Sequence, residues 1–122
     1  MKKVILSVAT LFLAFSLNAQ TIEPNYSVEN EKVKVTYYHE NGNVKIIGYF
    51  KDKKLSGQWT SYDLNGNKTQ IAFYENGKKV GKWFVWNNDT LKEINFENNA
   101  IVSINNWKQD SRVALIINKN YQ

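Results

Sequence analysis

The chain has 122 residues, with 16 Lys and Arg against 11 Asp and Glu, one histidine and no cysteine. That length suits one domain with a modest core, and the missing cysteines exclude disulfide staples and thiolate chemistry. The mild positive surplus contains no block of about five or six like charges, so it does not mark a nucleic-acid partner.

Lys2 and Lys3 precede an apolar run from Val4 to Phe15, broken only by Ser7 and Thr10, and Ala19 offers a small residue for cleavage. This pattern predicts a signal peptide over residues 1–19, with an uncleaved anchor or a first core strand as the competing readings. The run is too short to span a bilayer, which needs about 20 apolar residues. Cleavage after Ala19 leaves 103 of the 122 residues, and 14 basic against 11 acidic side chains leave a net charge of +3. A periplasmic or secreted protein is expected, with no membrane insertion after cleavage and no thiol for lipid attachment.

Residues 20–31 are polar, contain the only proline, Pro24, and show no sustained period, which reads as a flexible lead-in. Lys32 to Tyr38 alternates polar and apolar side chains and is expected to supply the opening edge strand, its lysines discouraging edge-to-edge association. Asn-Gly follows at 41–42, 65–66 and 76–77, the strongest short signal for type I′ hairpin turns. Asp52-Lys53 and Asn98-Asn99 fall where further turns are due. Turns every ~10 to 13 residues leave room for strands of about five or six residues and none for a helix with its crossover. The predicted strands cover 44–51, 57–62, 68–75, 81–86, 91–97, 100–107 and 113–117. Gly57 and Gly81, each just ahead of a large aromatic, read as turn-closing residues that need positive φ. The fold class is therefore all-β, an antiparallel meander of stacked hairpins, in a repeat domain over 32–122.

The middle of the chain states one pattern twice. Tyr38-His-Glu-Asn-Gly42 returns as Tyr62-Asp-Leu-Asn-Gly66, then Gly48 as Ala72, Tyr49 as Phe73, Phe50 as Tyr74, Gly57 as Gly81, Trp59 as Trp83 and Tyr62 as Trp86, every pair 24 residues apart. A fixed offset through glycines and aromatics is the mark of a stacked repeat. A third copy, Leu91 to Asn99, follows at an offset of 22, with Phe96 under Tyr74 and the two lost residues in the turn around Asn88-Asp89. Val113 to Ile117 reads as part of a terminal cap that closes the stack.

Strand alternation sends Trp59 and Trp83 to one face and Tyr38, Tyr62 and Trp86 to the other. Gly48 and Ala72 put small residues at one position, which would let the sheet curl. Cross-strand packing alone explains such rows, at roughly 0.2–1 kcal/mol a pair. A single layer without helices nevertheless leaves ring surface for a ligand, so Trp59, Tyr62, Trp83 and Trp86 are the candidate partner-binding residues, for a protein or glycan partner. Tyr-x-x-Asn-Gly, an aromatic strand and a Gly-x-Trp strand resemble the MORN repeat, in the variant form of exported bacterial proteins, over Tyr38 to about Trp107. The resemblance implies a hairpin stack acting as a scaffold or recognition surface. It also implies an alternative, an immunity or antitoxin-like protein that neutralises a specific effector, with which an export signal fits poorly.

No catalytic constellation, metal site or cofactor loop is recognisable, so the chain reads as a non-enzyme. His39 has no spaced partner and reads as a solvated turn residue. The acidic residues fall mainly at turns, where turn-forming hydrogen bonds account for them. Asp89-Thr90-Leu91 resembles a bacterial O-glycosylation site on a predicted turn. Open sheet edges also make a homodimer by edge-strand pairing an expectation.

Overall fold

A computed structural model of the chain describes residues 21–108. The predicted signal peptide over 1–19 and the predicted strand over 113–117 lie outside the described residues. Nine strands follow in order: β1 Asn25–Glu29, β2 Lys32–Tyr38, β3 Val44–Lys51, β4 Lys54–Tyr62, β5 Lys68–Glu75, β6 Lys78–Lys79, β7 Gly81–Asn87, β8 Thr90–Glu97 and β9 Ala100–Lys108. They form one antiparallel sheet in the order β1-β2-β3-β4-β5-β7-β8-β9, with the short β6 beside β5. The fold is an all-β meander of stacked hairpins, and no helix occurs among the described residues.

The repeat is a repeat of register. Ile46↔Ser61, Ile47↔Thr60, Phe50↔Leu55 and Lys51↔Lys54 return as Gln70↔Val85, Ile71↔Phe84, Tyr74↔Lys79 and Glu75↔Lys78, each residue 24 positions on. Between the paired stretches of the first copy, Gly48 alone faces the three residues Gly57 to Trp59. Gly57 and Gly81 hold the same left-handed φ of +69° at these irregularities, so the positive φ expected of them is present, but in a strand bulge and not in a closing turn.

Two kinds of turn alternate along the sheet. At one end Asn30-Glu31, Asp52-Lys53, Asn76-Gly77 and Asn98-Asn99 have φ between 47° and 78° at both positions, the signature of type I′. Asn99 adopts φ 70° without the glycine of the copy before it. At the other end only Gly42 and Gly66 of the remaining Asn-Gly pairs are left-handed, which corrects the type I′ expectation there. Gly42 N–H donates to His39 O at 2.9 Å and His39 N–H to Asn43 O at 2.8 Å, a type I turn followed by a glycine bulge that recurs from Asp63 to Asn67. Side chains decide it: Asn41 Oδ1 accepts from Asn43 N–H at 3.0 Å, and Asp63 Oδ1 accepts from Asn65 and Asn67 N–H, both at 2.9 Å.

The lead-in is shorter than the sequence implies. Residues 25–29 form β1 and take the edge position assigned to Lys32–Tyr38, so β2 is an interior strand and its lysines guard no edge. Backbone pairing carries β1, with Tyr26 opposite Val35 and Val28 opposite Val33, while all five of its side chains stay exposed.

Two apolar clusters occupy opposite faces. Ala72, Trp83 and Phe96 are buried on one, with Trp59, Tyr74 and Ile94 against them; Ile71, Phe84 and Leu91 are buried on the other, with Phe73 and Trp86. Trp59 and Trp83 thus share a surface, as two-residue alternation requires.

Candidate functional site

On the first face, the spine face, rings alternate along successive strands: Phe50, Trp59, Tyr74, Trp83, Phe96. Centroid separations are 5.2, 6.3, 5.2 and 4.8 Å, mostly edge-to-face, the arrangement that ring quadrupoles favour. Each tryptophan is pinned to backbone in the same way. Trp59 Nε1–H donates to Tyr49 O at 3.1 Å, and 24 residues on Trp83 Nε1–H donates to Phe73 O at 3.1 Å. The indole of Trp59 lies over Gly48, where a β-carbon would overlap the ring. Ala72 takes that place in the second copy and packs in the Trp83 cluster. Lys79 Nζ sits 5.2 Å from the Trp83 ring centroid and 5.5 Å from that of Phe96, covering the rings with a cation. Trp83 keeps only 6% of its surface exposed.

The second face differs. Trp86 and Phe73 are half-buried against Ile71, Phe84 and Leu91, and the Trp86 and Phe84 rings are tilted 6.3 Å apart. Glu93 is buried here, its carboxylate 3.4 Å from Lys82 Nζ and accepting from Asn105 Nδ2 at 3.1 Å, so the charge is paired as burial demands. At the loop end of this face an open hollow of about 410 Å³ is lined by Asn43, Val44, Ile47, Tyr62, Asn65 and Gly66.

Hydrogen bonds between neighbouring loops shape that hollow. His39 Nε2–H donates to Tyr62 O at 2.8 Å, while Asn43 Nδ2 and Asn41 Nδ2 donate to Leu64 O at 2.9 and 3.2 Å. His39 is therefore a half-buried strut between loops and not a solvated turn residue. Burial pushes the Tyr62 phenol above its ordinary pKa. Lys68 pairs with Tyr62 across β4 and β5, as Val44 pairs with Tyr38. Its ammonium is out of solvent without a hydrogen-bond partner among the described residues, and burial pushes its pKa down.

The four residues expected to bind a partner are split two and two. Trp59 and Trp83 lie on the spine face, and Trp83 belongs to the core, with almost no surface to offer. Tyr62 and Trp86 lie on the hollowed face, both half-buried. Asn43, Val44, Ile47, Asn65 and Gly66 join Tyr62 in the hollow and were not singled out by sequence; alternation could have placed Ile47 beside Tyr62, but the loop contacts that make a concavity have no sequence pattern. Thr90 is exposed next to the turn, its hydroxyl donating to Asn87 O at 2.8 Å. Among the described residues no group of three or more His, Cys, Asp or Glu is placed to hold a metal. No family model matches this chain, and no curated protein and no solved structure is significantly similar to it.

Proposed function

We propose that the chain is an exported, non-enzymatic repeat module that serves as a binding or scaffold surface for a protein or glycan partner. The observation that carries this reading is the hollow beside Tyr62, where one half-buried aromatic ring meets the amides of Asn43 and Asn65 and the apolar side chain of Ile47. A concave apolar surface with a few convergent polar groups is what ligand sites use to hold and orient a molecule. A sugar ring would lay its C–H face on Tyr62 and offer hydroxyls to the amides; a peptide would offer an apolar side chain and its backbone. The resemblance to MORN repeats, with their scaffold and recognition roles, supports the same reading.

The candidate surface narrows to Tyr62 and Trp86. Immobilised chain from residue 20 onward should retain a partner from the envelope fraction of its native host, and Tyr62→Ala or Trp86→Ala should lower retention about tenfold while β-sheet circular dichroism persists. A glycan array run with the same variants separates sugar from protein. Retention that is indifferent to both substitutions rules the reading out.

A further inference from the structure

Asn-Gly occurs three times in the chain, and the structure gives its three asparagines different surroundings. The dipeptide carries a chemistry of its own. A glycine has no β-carbon to shield its nitrogen, so that nitrogen is open to attack the carboxamide carbon of the asparagine before it. Two conditions govern the step in a folded chain: the carboxamide must be loose enough to swing onto the nitrogen, and the glycine N–H must leave its hydrogen bond.

Asn41 fails the first condition. Its Oδ1 accepts from Asn43 N–H at 3.0 Å and its Nδ2 donates to Leu64 O at 3.2 Å. Asn65 stands at the matching place in the next loop, and its carboxamide has no hydrogen-bond partner among the described residues. Asp63 makes the difference, since its Oδ1 already accepts from the N–H groups of Asn65 and Asn67, both at 2.9 Å, the task that falls to Asn41 in a loop beginning with His39. Asn76 fails the second condition. It is left-handed at φ 49°, and Gly77 N–H donates to Leu55 O at 2.9 Å, which ties the turn to β4. Gly66 N–H donates at 3.1 Å to Asp63 O within its own loop, so a motion of that loop alone releases it.

We propose that Asn65-Gly66 is a site of spontaneous deamidation on the rim of the hollow. The Gly66 nitrogen gives up its proton and bonds to Asn65 Cγ, the Cγ–Nδ2 bond breaks, and ammonia leaves with that proton. The cyclic imide so formed takes up water and opens to aspartate or isoaspartate. None of the residues lining the hollow carries a formal charge. The product puts a carboxylate among them, and isoaspartate also lengthens the loop backbone by a carbon. A slow, one-way change of charge is thereby built into this surface. Its effect on a partner rests on the binding reading above; the conversion does not, and is measured without a ligand.

The full chain, held in mildly alkaline buffer and followed by peptide mass mapping, should convert at Asn65 about fivefold faster than at Asn41, the factor that freedom from one hydrogen bond confers, and ahead of Asn76. In denaturant the three rates should converge, because each asparagine then has the same glycine beside it and no fold to restrain it. Asn41 or Asn76 converting as fast as Asn65 in the folded chain overturns the proposal. So does an Asn65 that persists in the folded chain while converting in denaturant.

Discussion

The same strands build both faces of this sheet, yet the faces treat their rings differently. On the spine face, each tryptophan lies against backbone over a glycine or alanine and is flanked by rings from neighbouring strands, so a single layer covers itself. On the other face, apolar residues gather at one end of the sheet and the loops leave a hollow beside Tyr62. A layer without a second sheet or helices can therefore bury a cluster on each side, with an aromatic row along one and a loop-end hollow on the other. What decides is the small residue beneath the ring and the bulge that swings the ring across it.

Breaking the spine should have the largest effect. Trp83→Ala removes a ring buried among Ala72, Tyr74 and Phe96 and should destabilise by about 3–5 kcal/mol in chemical denaturation, while Tyr62→Ala should cost less than half of that. Gly48→Ala is the next test. Its β-carbon collides with the Trp59 indole, so the ring must leave its seat, at about 1–3 kcal/mol and with an altered tryptophan emission spectrum. Gly81→Ala isolates the bulge, since the nearest atom to an added β-carbon is 3.9 Å away and only the φ of +69° is strained. A loss of about 1–2 kcal/mol is expected.

The smallest effect sharpens the other end of the comparison. The Asn67 backbone N–H holds the Asp63 carboxylate below its ordinary pKa of 3.8, against some desolvation, and the Asn65 N–H adds to the lowering. A pKa depressed in the folded state contributes stability that is complete above the ordinary value and disappears as pH falls through the folded one. The melting temperature should thus decline below about pH 4, and Asp63→Asn should make that decline shallower. An identical acid profile for the variant would remove Asp63 from the account of the loop.

Much of this architecture is legible in the residues because its determinants are local. Asn76-Gly77 and Asn98-Asn99 mark tight turns by their tolerance of left-handed backbone, and the spacing of Gly48, Trp59, Ala72 and Trp83 fixes which side chains share a surface. β1 is not legible, because an edge strand held mainly by backbone pairing, with all five side chains exposed, shows no apolar period. The conformation at Asn41-Gly42 escapes the dipeptide rule because the Asn41 carboxamide bonds to Asn43 N–H and favours a longer loop. Burial of Trp83 also escapes: alternation gives the direction of a side chain, but the rings and the Lys79 cation that cover it come from three different strands. The hollow depends on hydrogen bonds such as His39 to the Tyr62 carbonyl, 23 residues away in sequence.

No strand of the main path leaves its sequence neighbour except to pass the two-residue β6. All pairing in the sheet is consequently made between segments a turn apart, a low contact order for an all-β protein. Such proteins commonly fold in milliseconds to seconds because distant segments must first find one another. The described strands have no such search to make. Hairpin can add to hairpin from either end like links of a zip, and refolding at the fast end of that range is what the topology implies.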